Sequence, residues 1–123
     1  MKEKDMQRDI KQMYHNEFGV AFQWKEAKKE DQHKIQLIFR DMGFLLQPDE
    51  ILVFSKEVEL AKHLASCEGC PHGKHCRSIL LKTPSAQVDL AVSLNELMYL
   101  EDLIEGTIFQ LQLNNFLDNL TRN

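Results

Sequence analysis

One pattern limits the fold more than any other, and it occurs twice. Two short alternating apolar runs lead into a helix start, and the second copy lies 46 residues after the first. In the first copy Ile35, Leu37 and Phe39 alternate, Arg40 to Gly43 make a turn, and Phe44 to Leu46 form a short strand. Period-two alternation buries one face of a strand. Gly43 is expected to supply the positive φ of that turn. In the second copy Ile79 and Leu81 alternate, ThrProSerAla turns the chain, and Val88, Leu90 and Val92 alternate again. Residues 44–54 then lie over residues 90–100 with matching polarity, which reads as a structural repeat.

Each copy ends in a helix start. Pro48 suits the first helical position, and Glu50 stands three residues after Gln47 as the acidic half of a capping box. Ile51, Phe54, Val58, Ala61 and Ala65 then form an apolar stripe. Ser93 with Glu96 is a complete Ser-x-x-Glu box, followed by Leu97, Leu100, Ile104, Ile108 and Leu111. Gly106 falls within that helix, where it is expected to bend it. Glu50 and Glu96 are explained by capping, without a catalytic role.

The pattern predicts an α+β fold: two strand-strand-helix units forming one antiparallel sheet, with the helices on one face. The chain divides into an arm or helix over 1–15, a first unit over 16–66, a cysteine loop over 67–76 and a second unit over 77–123. Met6, Ile10 and Met13 fall at helical spacing, so residues 1–14 read as a weak amphipathic helix or an arm. Phe18, Val20, Phe22 and Trp24 alternate with smaller residues and predict an extra strand with those four, Trp24 included, on its buried face. Residues 25–33 are nearly all polar and read as a solvated loop. His15 and His33 read as solvated side chains.

The last helix is apolar around more than one face. Tyr99, Leu103, Phe109, Leu113, Phe116, Leu117 and Leu120 lie outside the main stripe, and residues 83–123 hold one basic residue, Arg122, against six acids. A helix apolar around its girth is central to a fold or part of an interface, and two-fold pairing is the commonest assembly. A homodimer through this helix is the expected partner.

All three cysteines fall in the segment between the units, His63-x3-Cys67-Glu-Gly-Cys70-Pro-His72-Gly-Lys-His75-Cys76. Cys-x-x-Cys lets two thiolates hold one metal from a tight turn. His63 stands one helical turn before Cys67, and Cys76 returns as a third thiolate. His63, Cys67, Cys70 and Cys76 make a closed set of four soft ligands, which suits structural zinc, with His72 and His75 as alternative fourth ligands. Arg77 and Lys74 flank the thiolates and offset their charge. Thiol redox chemistry is disfavoured, because Cys67 follows a helix where the dipole opposes a thiolate. A disulfide is disfavoured in a reducing compartment.

The Cys-x2-Cys-x5-Cys spacing is similar to loops that hold four-iron clusters in SPASM-domain radical enzymes and in Cas4-like nucleases. That resemblance implies an iron–sulfur cluster as the alternative cofactor. Those proteins use a fourth cysteine, which this chain lacks. Residues 77–97, with Leu-x-Lys-Thr-Pro closing a strand and a capped helix after the next, resemble a family of small Bacteroidetes proteins. GlyPheLeuLeu at 43–46 and the cysteine loop fit the same family. The resemblance implies a small bacterial domain and no particular activity.

Composition closes off other classes. The chain has 123 residues, 43% apolar and 28% charged, a globular balance for one domain. A net charge of −4 argues against a nucleic-acid binder that relies on phosphate neutralisation. There is no apolar run long enough to span a bilayer and no apolar leader core, so a cytoplasmic location is expected. There is no phosphate loop, nucleophile elbow or His-Glu-x-x-His helix, so the reading leans away from an enzyme. The expectation is a zinc-binding protein with an interaction or regulatory role. An iron–sulfur redox or sensor protein and a metal-free interaction module are the alternatives.

Overall fold

In the computed structural model, which describes residues 10–25, 28–67 and 75–122, a four-stranded antiparallel meander comes first. Its strands are β1 (Ile10–His15), β2 (Gly19–Trp24), β3 (Ile35–Phe39) and β4 (Met42–Leu46). Helix α1 (Pro48–Cys67) follows. A hairpin of β5 (Ile79–Lys82) and β6 (Asp89–Val92) leads into α2 (Leu94–Arg122). The architecture is α+β, with hairpin-then-helix occurring twice in the order the sequence predicts.

Two hydrogen-bonded sheets are present rather than one. β1–β4 form the first sheet, and β5–β6 pair only with each other. Helix α1 packs against both β4 and β5, and the hairpins do not share a ladder. Leu81, Leu90 and Val92 of the small sheet enter the same core as Ile35, Leu37 and Phe39 of the large one. Ile51, Phe54 and Val58 of α1, and Leu97, Leu100 and Ile104 of α2, complete that core. Both helices therefore bury their stripes on one face of the four-stranded sheet.

Residues 10–15 form a strand, not the helix suggested by the spacing of Ile10 and Met13. The β1–β2 register shifts between Gln12 and Tyr14, leaving Met13 as the extra residue of a bulge. A bulge breaks the period of two, so buried Met13 falls three residues from Ile10, as it would in a helix.

The main core takes the small residues of β2 where the large ones were predicted, although Phe22 on the other side is buried as well, at 6% exposure, and Phe18 packs on the core as expected. Gly19 pairs with Phe39 and Ala21 with Leu37, so these small residues face the core. Val20, Phe22 and Trp24 lie on the outer face, where Phe22 and Trp24 meet edge to face at 5.0 Å and Trp24 is half-buried. The physical reason is space. Helix α2 packs across β1 and β2, and a Cβ at Gly19 would run into the Ile38 carbonyl and Phe39. Phe18, just before β2, stacks on Phe39 at 5.5 Å and on Tyr99 at 6.2 Å.

The β3–β4 turn needs only Arg40 and Asp41, because Phe39 pairs with Met42 and Gly43 pairs with Ile38 inside the ladder. Arg40, not Gly43, takes the positive φ, at 57°. Its side chain is held, with Nη1 donating to the Ala91 carbonyl at 3.1 Å. That bond ties the tip of the first sheet to β6. Gly106 does not interrupt α2, which runs unbroken through it. Its missing side chain instead makes room for the Tyr14 ring, which a Cβ would approach to 2.5 Å.

Both helix starts use the same bond from the cap amide to the glutamate three residues on, and the second adds a bond to its cap side chain. The Ser93 amide donates to Glu96 Oε1 at 3.0 Å, and the Glu96 amide donates back to Ser93 Oγ at 3.1 Å. At α1 the Gln47 amide donates to Glu50 Oε1 at 2.8 Å. The Gln47 side chain takes no part in the cap; its Oε1 accepts from His33 Nε2 at 3.0 Å.

Candidate functional site

The predicted ligands fall at three places. His63 lies on an exposed face of α1, one turn before Cys67, with which the helix ends. Cys76 has a free, half-buried thiol three residues before the start of β5 at Ile79. His75 is exposed, and Asn95 Nδ2 donates to its Nδ1 at 3.3 Å. The Cys67 side chain, Cys70 and His72 lie outside the described residues, as does Lys74. Among the described residues no three His, Cys, Asp or Glu side chains converge to hold a metal.

The exit of the cysteine segment is pinned to the first turn of α2. Arg77 forks onto Glu96, with Nε at 3.0 Å from Oε1 and Nη2 at 2.8 Å from Oε2. Arg40 Nε lies 3.9 Å from the same carboxylate. Arg77 is therefore paired with a carboxylate of α2. Glu96 is held below the ordinary carboxylate range, first by the Arg77 bonds and then by the Ser93 amide. Arg77 is raised in turn by Glu96. One glutamate thus caps α2 and receives the residue that follows Cys76.

A second cluster, which no motif in the sequence marks, sits one and a half turns further along α2. The Tyr14 hydroxyl donates to both oxygens of Asp102, and Asn16 Nδ2 donates to Asp102 Oδ2 at 2.9 Å and to the Tyr99 carbonyl at 2.9 Å. Asn16 Oδ1 accepts from the Phe18 and Gly19 amides, which closes the β1–β2 turn. The Tyr14 phenol is raised above its usual value, mainly by the bond to Asp102 and next by burial. Asn16 three residues before Gly19 is a legible turn pattern, but it is informative only once β1 is known to be a strand.

Between that turn and α2 lies an open groove of about 770 Å³. Asn16 and Glu17 form one wall, and Leu94, Met98, Tyr99 and Asp102 form the other. Met98 and Tyr99 are about half exposed, at 48% and 43%.

Along the rest of α2 the apolar surface has no cover among the described residues. Glu105 Oε2 accepts from Ser55 Oγ at 2.7 Å and Glu101 Oε2 from Lys62 Nζ at 2.7 Å, so α2 runs antiparallel to α1. α2 has 29 residues against 20 for α1, a difference of about 13 Å at 1.5 Å per residue. Beyond Ile108 and Leu111, which pack on the core, the helix exposes Phe116 at 60%, Leu117 at 49% and Leu120 at 58%. Phe109 at 61% and Leu113 at 38% continue the same exposed surface toward the body.

Comparisons with protein-family models, with curated proteins and with solved structures return no match. No helix among the described residues is long and apolar enough to cross a membrane.

Proposed function

We propose that this chain is a non-enzymatic, cytoplasmic interaction protein that acts as a homodimer through α2. One observation carries the reading. The last turns of α2 reach past α1 with Phe116, Leu117 and Leu120 exposed. A helical stripe of large apolar side chains in water is a liability unless a partner covers it. The stretch is also nearly free of charge: from Gly106 to the end of the chain only Asp118 and Arg122 are charged. In a protein of net charge −4, a second copy meets little repulsion on such a surface. The test is co-purification of tagged and untagged full-length copies. Untagged wild type is expected to follow the tag, and untagged Leu113→Asp is expected to be left behind. Loss of neither or both in the two lanes contradicts the reading.

A second element of the proposal is a structural zinc ion held by His63, Cys67, Cys70 and Cys76. Its support is that α1 continues to Cys67, which puts His63 and Cys67 one turn apart on a helix. Cys76 precedes β5, and β5 packs on α1, so the chain that leaves α1 at Cys67 comes back against the same helix. A four-ligand set of this kind leaves no open coordination position, which makes the metal a staple and not a catalyst. Metal analysis with a visible spectrum on anaerobically purified protein tests it. One zinc per chain and no colour are expected, and a brown, oxygen-sensitive product would replace zinc with the iron–sulfur alternative.

A further inference from the structure

The exposed face of α2 carries one stripe along its whole length. Met98, Asp102, Glu105, Phe109, Leu113, Phe116 and Leu120 follow one another at spacings of four, three, four, four, three and four. That is an eleven-residue repeat, close to the natural winding of a helix, so the stripe runs nearly straight. It is also symmetric about Phe109. Reversing the helix there lays Met98 on Leu120, Asp102 on Phe116 and Glu105 on Leu113, so every stripe position meets another stripe position.

The two acids in the stripe do not oppose such a contact. Asp102 is turned toward β1, accepting from Tyr14 and Asn16. Glu105 is turned toward α1, accepting from Ser55. Each is held by its own chain, to the side of the stripe. At the end of the stripe the groove beside Met98 and Tyr99, about 770 Å³, is open to receive side chains.

Charge separates the two possible orientations. Glu96, Glu101, Asp102 and Glu105 lie in the first half of α2, and the second half has the single acid Asp118. Parallel pairing sets the acidic halves of two copies against each other. Antiparallel pairing sets each acidic half against one whose two charges, Asp118 and Arg122, cancel, and it moves the two acidic ends apart.

We infer that two copies pair through antiparallel α2 helices about a two-fold axis at Phe109, with Leu120 of each copy seated in the other's groove at Met98 and Tyr99. This rests on the homodimer proposed above and fixes its orientation and its register. The interface is isologous, as a two-fold requires. Leu120 closes the stripe at one end of the helix, and the groove closes it at the other.

The test uses full-length protein with p-benzoylphenylalanine in place of Leu120, an exposed position near the end of α2 that the core does not need. Isotopically heavy and light copies are mixed, sedimented and irradiated, and the cross-linked peptides are mapped. The expected product joins position 120 of one copy to the 94–99 stretch of another. A dimer whose adducts fall at 113–120 of the second copy overturns the antiparallel orientation and leaves the homodimer standing. Adducts elsewhere overturn the register. A monomer without adducts overturns both this inference and the homodimer. Phe109→Asp, at the axis, is expected to lower the cross-link yield at least tenfold while the far-ultraviolet spectrum is unchanged.

Discussion

Tyr14 and Asp102 are 88 residues apart in sequence, and the Tyr14 phenol donates to both oxygens of the Asp102 carboxylate, at 3.1 and 2.9 Å. The pair joins the bulged end of β1 to the middle of α2. It gives a pH prediction whose sign follows from the raised phenol. A group whose folded pKa lies above its unfolded value of about 10 adds stability below that value and loses it as pH rises through the folded one. The melting temperature of the wild type is expected to fall more steeply above pH 10 than that of Tyr14→Phe. Parallel curves for the two proteins contradict the assignment.

Gly106 is the other half of that junction. A methyl group there meets the Tyr14 ring at 2.5 Å. Gly106→Ala is expected to destabilise by about 1–3 kcal/mol through overpacking, although alanine is the better helix former. In a Tyr14→Ala background the same substitution is expected to be neutral or stabilising. Denaturant unfolding of the four proteins of this cycle measures the coupling directly.

The two helix starts separate side-chain capping from backbone capping. Ser93 Oγ accepts the Glu96 amide, so Ser93→Ala is expected to cost about 1 kcal/mol. Gln47 occupies the equivalent position 46 residues earlier, but its side chain is engaged with His33. Gln47→Ala is expected to change stability by less than about 0.5 kcal/mol. Equal losses at both positions would contradict the asymmetry.

Glu96 predicts acid sensitivity. Its carboxyl is held below the usual range by Arg77 first and by the Ser93 amide as well. A group with a lowered folded pKa adds stability above its unfolded value, and that stability disappears as pH falls through the folded one. Stability is therefore expected to decline through the acid range below about pH 4.5. The slope is expected to be shallower in Glu96→Gln. Because Arg77 follows Cys76, the same variant is expected to increase protease cleavage around residues 68–77.

If zinc is held as proposed, a chelator or Cys70→Ser is expected to lower the melting temperature and to speed proteolysis between His63 and Arg77. Cys76→Ser and Cys70→Ser are expected to act alike, since each removes one thiolate from the same ion. Unchanged stability and cleavage after metal removal would leave the cysteines without a structural role.

Some of this was legible in the sequence and some was not, for reasons that differ by residue. Ile35–Phe39, the Ser93–Glu96 box and the stripe from Leu97 to Leu111 were readable because alternation, capping and helical period all agreed there. β1 was hidden by the Met13 bulge, which gives a strand the spacing of a helix. The inward face of β2 was hidden because the close approach of Ile38 and Phe39 in β3 demands a glycine at position 19, and small residues read as the exposed side. The exposed surface of α2 was visible as surplus apolar residues. Its open groove was not, since the groove depends on the β1–β2 turn at Asn16. Of the predicted metal ligands, spacing named the four, and the helix end at Cys67 is the part that the described residues supply.

The central claim is self-association through α2, and the mass of the unaltered full chain in solution tests it most directly. Sedimentation equilibrium over a wide concentration range is expected to give twice the chain mass of 14.4 kDa, with Leu113→Asp returning to 14.4 kDa while keeping its helical spectrum. A wild type that stays at 14.4 kDa at every concentration contradicts the account.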